Sequence, residues 1–102
     1  MKFRSAASFD RDFARLAPEH RRSFLVAVPG FHEAASRAAA GAPSPWPRGQ
    51  RIKRVQGYPE IWETTWHKSR PDGRATWRWI TIDDQPAIQW RRIGDHGIFK
   101  AP

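Results

Sequence analysis

Four arginines and one histidine near the C-terminus have the types and spacing expected of a site that cleaves phosphodiesters. Arg74 and Arg78 stand four residues apart, Arg91 and Arg92 are adjacent, and His96 follows in a glycine-flanked turn. Guanidinium groups bind phosphate oxygens, and an imidazole can carry a proton near pH 7. Metal-free RNA cleavage needs a base for the 2′-hydroxyl, cations for the charged phosphorus and an acid for the 5′-oxygen. The pattern therefore predicts a small ribonuclease with His96 as base or acid.

Two further groups could belong to the same site. The basic run at Arg51, Lys53 and Arg54 could bind RNA, or it could be an ordinary charged edge strand. Glu63 could be a general base beside the arginines, whose charge would keep it ionised, or only their salt-bridge partner. The alternative for the arginines is a solvated sheet face, and for the histidine a surface position. The candidate catalytic residues are Lys53, Glu63, Arg74 and His96, and the candidate RNA-binding residues are Arg51, Arg54, Arg78, Arg91 and Arg92.

The composition limits the class of protein. The chain has 102 residues, enough for a single domain over 1–102, and its 18 Lys and Arg against 10 Asp and Glu give a net charge of +8. Such an excess favours a polyanionic partner, either a nucleic acid or an acidic protein. The absence of cysteine excludes disulfides and Cys-based zinc sites. With no phosphate-binding glycine loop, zinc motif or nucleophile elbow in the sequence, we expect neither a metal nor another cofactor.

The remaining histidines and the N-terminal segment carry no further chemical signal. His20, His32 and His67 lack the spacing to carboxylates that a metal site requires, so we expect them to be surface residues. The segment MKFRSAASFDRDF has no apolar run of signal-peptide length, and no apolar run in the chain is long enough to span a membrane. We therefore expect a cytoplasmic protein that does not contact membranes.

In the first half of the chain, apolar residues recur at the spacing of a helix. Phe9, Phe13 and Leu16 recur at helical spacing, which predicts a helix over Ser8–Leu16 with Ser8 as N-cap. A second helix begins at Pro18, is interrupted or kinked at Pro29–Gly30, and resumes over Phe31–Ala40 until Gly41 stops it. The proline-rich stretch 41–50 is a connector. Met1–Arg4 could start a short edge strand.

From Arg51 onward the period changes from helical to two, which predicts strands. The strands are predicted at Arg51–Val55, Ile61–His67, Arg74–Ile80 and Ala87–Ile93, with turns at Gly57–Pro59, Arg70–Gly73 and Asp83–Pro86. Helices followed by a meander of strands indicate the α+β class, with the N-terminal helices packed on one face of an antiparallel sheet.

Strand alternation assigns residues to the two faces of this sheet. Trp77 and Trp79 share one face and should pack under the helices, so Arg74 and Arg78 should point out on the open face. Matching aromatic residues across strands places Glu63 on the arginine face. One of Arg91 and Arg92 must also point to the open face, but the alternation does not say which. The other could pair with Asp83 or Asp84.

Several segments resemble the RelE/HigB-type toxins of bacterial type II toxin–antitoxin systems, in the RelE/ParE superfamily. They are SFDRDFARL with a proline-started second helix, RIKRVQGYPEIWE, GRATW, and WRRIGDHGIF near the end. The resemblance extends over essentially the whole chain and is sharpest in the second half. It implies a short strand, two helices and a curved antiparallel sheet. It also implies a ribosome-dependent mRNA endoribonuclease that needs no metal, inhibits translation and is neutralised by a cognate antitoxin.

The resemblance also assigns roles to individual residues. The family's basic cluster falls on Lys53 and Arg54, its hairpin arginine on Arg74, and its basic or histidine position near the C-terminus on His96. The terminal aromatic position falls on Phe99, where RelE-like enzymes often have a tyrosine. Because phenylalanine has no hydroxyl, a tyrosine-based proton transfer is excluded at this position.

Two other functions fit the same residues. The first is a ParE-like gyrase inhibitor with the same fold and no nuclease activity. The second is a non-catalytic RNA-binding protein or a decayed toxin, which the phenylalanine at position 99 keeps open. The combination of His96 with its arginines favours the ribonuclease, since a gyrase inhibitor has no chemical need for an imidazole among phosphate-binding groups.

Overall fold

The computed structural model describes residues 1–43, 45–67 and 72–102, apart from the side chain of His96. The elements are β1 (Phe3–Ser5), α1 (Ala7–Arg15), α2 (Pro18–Ala39), a 3₁₀ helix (Arg48–Gln50), β2 (Lys53–Val55), β3 (Tyr58–His67), β4 (Gly73–Ile82), β5 (Gln85–Gly94) and a C-terminal 3₁₀ helix (His96–Lys100). The five strands form one sheet in the order β1-β5-β4-β3-β2. The predicted α+β class is confirmed.

The sheet is mixed rather than purely antiparallel. Strands β2 to β5 form the predicted antiparallel meander, whereas β1 pairs with β5 in parallel. The chain leaves β1 through both helices and a long connector, enters the sheet at the opposite edge as β2, and reaches β5 beside β1 only at the end of the meander. Such parallel neighbours need a long crossover and cannot be joined by a tight turn.

The aromatic residues of the sheet pack beneath the helices, as predicted. Trp77 and Trp90 are almost completely buried, and Phe24 and Phe31 of α2 contact Trp90 with ring centroids 5.1 and 4.8 Å apart. Phe9 of α1 joins the same cluster. Burying several large rings is how a chain of this length can stabilise a small core.

Helix α2 is one helix from Pro18 to Ala39, so of the two outcomes predicted at Pro29–Gly30, an interruption or a kink, the interruption was wrong. Phe24 and Phe31 face the core, whereas Pro29 and Gly30 lie on the exposed side. Proline has no N–H, so one backbone carbonyl of the helix loses its hydrogen-bond partner, and on the exposed side water can bind this carbonyl. Burial of the opposite face outweighs the free-energy cost of the lost hydrogen bond. Within the described ranges, no helix is long and apolar enough to cross a lipid bilayer.

The N-cap predicted at Ser8 was also wrong. Helix α1 begins at Ala7 with Ala6 as N-cap, and that cap makes no side-chain hydrogen bond. The Ser8 hydroxyl donates instead to the backbone oxygen of Arg91, at 2.7 Å. This contact ties α1 to β5, a long-range partner that local sequence cannot reveal.

The strands extend beyond their predicted limits. Strand β3 begins at Tyr58, inside the predicted turn, and β4 and β5 continue to a two-residue connection at Asp83 and Asp84. Both connecting residues have positive φ angles, 51° and 62°, the backbone sign that a tight type I′ hairpin requires. The turn predicted at Arg70–Gly73 lies largely outside the described residues.

A β-bulge in β5 changes the direction of two arginines. Thr76 pairs with Arg92 and Trp77 with Trp90, so Arg91 is an extra residue with no opposite partner. Trp90 and Ile93 both face the core although they are three residues apart. The alternation rule therefore fails here, and both arginines point away from the core.

Candidate active site

Four residues predicted from the sequence line one cleft at the β2 edge of the sheet. The basic cleft has a volume of about 520 Å³, and its lining residues are Lys53, Arg54, Val55, Gln56, Glu63, Arg74 and Phe99. Strand β2 supplies its exposed wall, and neighbouring positions of β3 and β4 supply its floor. Phosphate-sized anions would meet both charged and hydrogen-bonding groups in this space.

The floor of the cleft is a buried ion pair. Arg74 Nη1 lies 3.2 Å from Glu63 Oε1, and each side chain is only 8% exposed. The pairing confirms that Glu63 lies on the arginine face, because Glu63 sits opposite Thr76, two residues from Arg74 on β4. Arg74 thus lies on the predicted face, opposite the helices, but it is buried there rather than exposed. A buried guanidinium is tolerated only where carboxylates compensate its charge.

A second carboxylate extends this pairing toward the edge strand. Asp72 Oδ2 lies 3.5 Å from Arg74 Nη2 and 3.7 Å from Arg51 Nη1. Arg51, predicted to bind RNA, is thus beside the cleft but is not among the described residues that line it. The carboxylates of Glu63 and Asp72 hold the Arg74 guanidinium in one orientation.

Lys53 and Arg54 are the exposed cations of the cleft. The Arg54 guanidinium stacks over the Trp62 ring, 4.8 Å from its centroid, which restricts the motion of a long side chain. Exposed cations on an edge strand can contact a phosphate without first breaking a buried ion pair. These two residues are therefore better placed than Arg74 to make the first contact with a polyanion.

Three of the predicted RNA-binding arginines lie elsewhere, outside the described lining of the basic cleft. Arg78 donates from Nε to Gln89 Oε1 on the next strand, at 2.7 Å. Arg91 donates from Nε to the backbone oxygen of Pro102, at 3.1 Å, and Arg92 binds Asp12 of α1. The expectation that Arg91 or Arg92 pairs with Asp83 or Asp84 was wrong: Asp83 forms an ion pair with Lys2.

The C-terminal segment closes one side of the basic cleft. Phe99 lines the cleft, so the position at which RelE-like enzymes often have a tyrosine faces the candidate site. His96 opens the same 3₁₀ helix, and its side chain lies outside the described part of the structure. Asp95 caps this helix by accepting a hydrogen bond from the Gly97 amide, at 2.8 Å.

The structure contains another groove of similar size, with a different character. It lies where the end of α2 meets the sheet, and its described lining residues are Ala38, Ala39, Ala42, Pro45, Trp46, Trp62, Trp79, Ile80, Thr81 and Pro86. None of these lining residues carries a charge, although the Arg54 guanidinium lies over the ring of one of them, Trp62, whereas three cations line the basic cleft. The basic cleft is therefore the better candidate for an active site.

The three other histidines are partly buried, so the expectation of surface positions was wrong. The rings of His20 and His67 lie 4.9 Å apart, and His32 packs edge-on against Phe3 with ring centroids 4.8 Å apart. Burial lowers the pKa of His32, and a hydrogen bond with the Met1 backbone only partly opposes this effect. In the described residues no group of three or more potential ligands could hold a metal ion.

Sequence reasoning missed three residues that organise this region. Asp72 bridges two arginines, Asp12 anchors Arg92, and Thr76 donates to the backbone oxygen of Pro102 at 3.1 Å. Asp72 was interpreted only as part of a turn. The odd three-residue interval between Trp90 and Ile93 was the available signal for the bulge, because a regular strand keeps apolar residues two apart.

A search of known structures shows which fold this is. The chain is similar to a solved structure described as "YoeB/ParE toxin from Agrobacterium tumefaciens", with a TM-score of 0.54 and 14% sequence identity. The alignment covers 94% of this chain and 99% of that one. At this identity the similarity establishes a shared fold. No protein-family model matches the chain, and no curated protein matches it.

Proposed function

We propose that this chain, which has the fold of a YoeB/ParE toxin, is the toxin of a type II toxin–antitoxin pair and cleaves mRNA on the ribosome. The observation that carries the proposal is the basic cleft, where Lys53 and Arg54 face an Arg74 guanidinium held by carboxylates. The cleft thus combines two exposed cations with one guanidinium in a fixed position, at a site large enough for a nucleotide. The sequence resemblance to RelE/HigB-type toxins points to the same activity.

The proposed reaction is an internal transfer at one phosphodiester. The 2′-oxygen of the RNA attacks phosphorus as its proton leaves, and the bond to the 5′-oxygen breaks as that oxygen gains a proton. The products are a 2′,3′-cyclic phosphate and a free 5′-hydroxyl. Lys53, Arg54 and Arg74 stabilise the extra negative charge on phosphorus, and His96 carries a proton to or from the reacting oxygens.

Glu63 has two possible roles in this scheme, and its contacts favour one. A general base must reach the 2′-hydroxyl, whereas Glu63 is buried and held 3.2 Å from Arg74. Its primary role is then to fix the Arg74 guanidinium. Glu63→Gln should lower protein stability, because it leaves a buried cation undercompensated. If Glu63 were the general base, the Glu63→Gln variant would instead be a stable protein that no longer cleaves RNA.

The proposed partner is an antitoxin that carries net negative charge. An acidic partner complements the +8 charge of this chain and would shield the basic cleft from RNA. An open reading frame for a small protein beside the gene would support this pairing.

Primer extension on a reporter mRNA after brief induction tests the activity. Two reporters are used, one with and one without a start codon. Cuts at codon-spaced positions in the translated message alone are expected, and His96→Ala should abolish them. Lys53→Gln should reduce cleavage by about tenfold or more, because it removes a charge-assisted hydrogen bond to phosphate. Arg22→Gln, an exposed charge change on α2, is the matched control and should cleave like the wild type.

The other outcomes identify the alternatives. Cuts in both reporters would show a free ribonuclease. Growth arrest with uncut mRNA and a DNA-damage response would show gyrase inhibition. Uncut mRNA with normal growth would show a binding protein or a decayed toxin, and each of these three results contradicts the proposal.

A further inference from the structure

The last eight residues lie against the sheet on the face opposite the helices. Ile98 is buried at 6% exposure, and Pro102 is buried as well. Between them, Phe99 forms part of the basic cleft, and His96 begins the same 3₁₀ helix. A helix of five residues with 3₁₀ geometry has little stability of its own. Its position must therefore come from contacts with the sheet.

Side chains of β4 and β5 hold the backbone oxygens of the last two residues. Thr76 Oγ1 and Arg91 Nε each donate to the Pro102 oxygen at 3.1 Å, and Arg92 Nη1 donates to the Ala101 oxygen at 3.1 Å. Thr76 is fully buried, so its hydrogen bond is shielded from water. We call Thr76, Arg91 and Arg92 the C-terminal latch.

One member of the latch is itself oriented by a helix. Arg92 Nε and Nη2 donate to the two carboxylate oxygens of Asp12, at 2.6 and 3.2 Å. The same carboxylate accepts the Ile93 amide at 3.2 Å. This arrangement fixes the guanidinium plane, so that its remaining nitrogen is aimed at the C-terminal backbone. The Asp12 carboxylate also offsets the charge that Arg92 could otherwise offer to a phosphate.

We infer that Thr76, Arg91 and Arg92 are positioning residues that hold segment 95–102, and with it Phe99 and His96, at the basic cleft. The inference rests on the proposed function, because it gives these residues a role in cleavage without contact to RNA. Small displacements of a reacting group can lower a rate by about a hundredfold, so anchoring both ends of a weak helix matters. Asp95 anchors the start of the helix, and the latch anchors its end.

Hydrogen exchange tests the latch without reference to activity. Thr76→Val removes the hydroxyl with little change in size, and Thr76→Ser restores the hydroxyl. The amides of Ile98 and Ala101, which donate to backbone oxygens within the C-terminal helix and its end, should exchange at least about fivefold faster in the valine variant. They should return to the wild-type rate in the serine variant, while amides of α2 are unchanged in both. Unchanged exchange at the two C-terminal amides would overturn the inference.

Cleavage kinetics on programmed ribosomes test the positioning role. Arg91→Gln should lower the cleavage rate at saturating toxin about tenfold and leave the half-saturating toxin concentration unchanged. Arg22→Gln removes an exposed arginine of α2, outside both the latch and the basic cleft, and should change neither quantity. If Arg91 contacted RNA, the half-saturating concentration would rise, and this result would overturn the inference, as would an unchanged rate.

Failure of the inference and failure of the proposed function give different results. If the wild type cleaves no RNA, the proposed function is wrong, and the hydrogen-exchange comparison still decides whether the latch holds the segment. If the wild type cleaves RNA and the Arg91 variant cleaves equally well, the proposed function stands and the positioning role is wrong. Thr76→Val and Arg91→Gln each remove a hydrogen bond to the Pro102 oxygen. If one of the variants misfolds, the other still tests the latch.

Discussion

The cations of the basic cleft are held in two different electrostatic environments. Lys53 and Arg54 are exposed on an edge strand, whereas Arg74 is buried between Glu63 and Asp72. An exposed cation exchanges water for phosphate at low cost. A buried, paired guanidinium has already given up its water and supplies a positive charge in a fixed position, the kind of group that stabilises negative charge formed during a reaction. We therefore propose that the exposed pair mainly binds phosphate and that Arg74 stabilises the transition state.

The stability of the protein should depend on the protonation of His32. Burial lowers the pKa of this histidine from its usual 6.5, so below that pH the unfolded chain binds more protons than the folded one. The free energy of unfolding should therefore fall as the pH decreases from about 7.5 to about 5.5. Urea unfolding at both values measures it, and His32→Phe, which keeps a ring beside Phe3, should weaken the dependence. Equal pH dependence in both proteins would contradict this assignment.

At the scale of elements, β2, β4 and the C-terminal segment each bring part of the site. Strand β2 carries the exposed cations, β4 carries the buried arginine, and the C-terminal helix contributes Phe99 and begins with His96. Helix α1 contributes indirectly, because Asp12 holds Arg92 and Ser8 binds the β5 backbone. The position of the C-terminal segment thus depends in part on how α1 packs against β5.

Two glycines of the α2 region should respond to alanine substitution with opposite signs. Gly41 follows the helix with a φ of 84°, and the Gly41 and Ala42 amides close a Schellman motif on the carbonyls of Ala38 and Arg37. Gly41→Ala should lower the free energy of unfolding by about 1 kcal/mol. Gly30 lies inside α2 with room for a methyl group, the nearest atom being Gln50 Nε2 at 3.9 Å. Gly30→Ala should raise the same quantity by about 0.5–1 kcal/mol.

Thermal and urea unfolding of the two single variants check this pair. Because both replacements are Gly→Ala, the side-chain chemistry is matched and only the backbone conformation differs. A decrease of stability in both variants would show that Gly30 tolerates a methyl group less well than its surroundings indicate.

At the scale of the whole molecule, the net charge of +8 includes two exposed cations at the basic cleft, whereas some arginines elsewhere pair with carboxylates. Arg37 pairs with Glu33, and Arg92 pairs with Asp12. Under the proposed function, the overall positive charge attracts RNA toward the protein, and the cations of the basic cleft bind it.

The salt dependence of RNA binding should report how many phosphates the protein neutralises. With a 2′-O-methylated single strand, which cannot be cleaved, the slope of log affinity against log salt should change by about 0.7 for each phosphate that is no longer neutralised. The double variant Lys53→Gln/Arg54→Gln should therefore reduce the magnitude of the slope by about 1.4. Arg22→Gln removes one positive charge outside the cleft and should leave the slope unchanged. If Arg22→Gln changed the slope as much as each of the two cleft substitutions does, RNA binding would depend on net charge alone.

Part of this structure could be predicted from the sequence because it depends on local period and residue type. Helical spacing located the first helix and the start of the second, two-residue alternation located the strands, and aromatic matching placed Glu63 on the same face as Arg74. Side chains of neighbouring strands in a meander are close in sequence and register, so these pairings follow from short-range rules.

The tertiary structure alone decided which arginines belong to the site. The bulge at Arg91 turned two arginines away from the core. Asp12, 80 residues from Arg92, and Pro102, 11 residues from Arg91, then bound them. Charge pairing depends on distance in space, and one extra residue in a strand reverses the direction of every side chain after it. The sequence by itself determined the class of fold and the kind of chemistry its residues favour. Long-range contacts determined which cations face the cleft and which hold the chain in place.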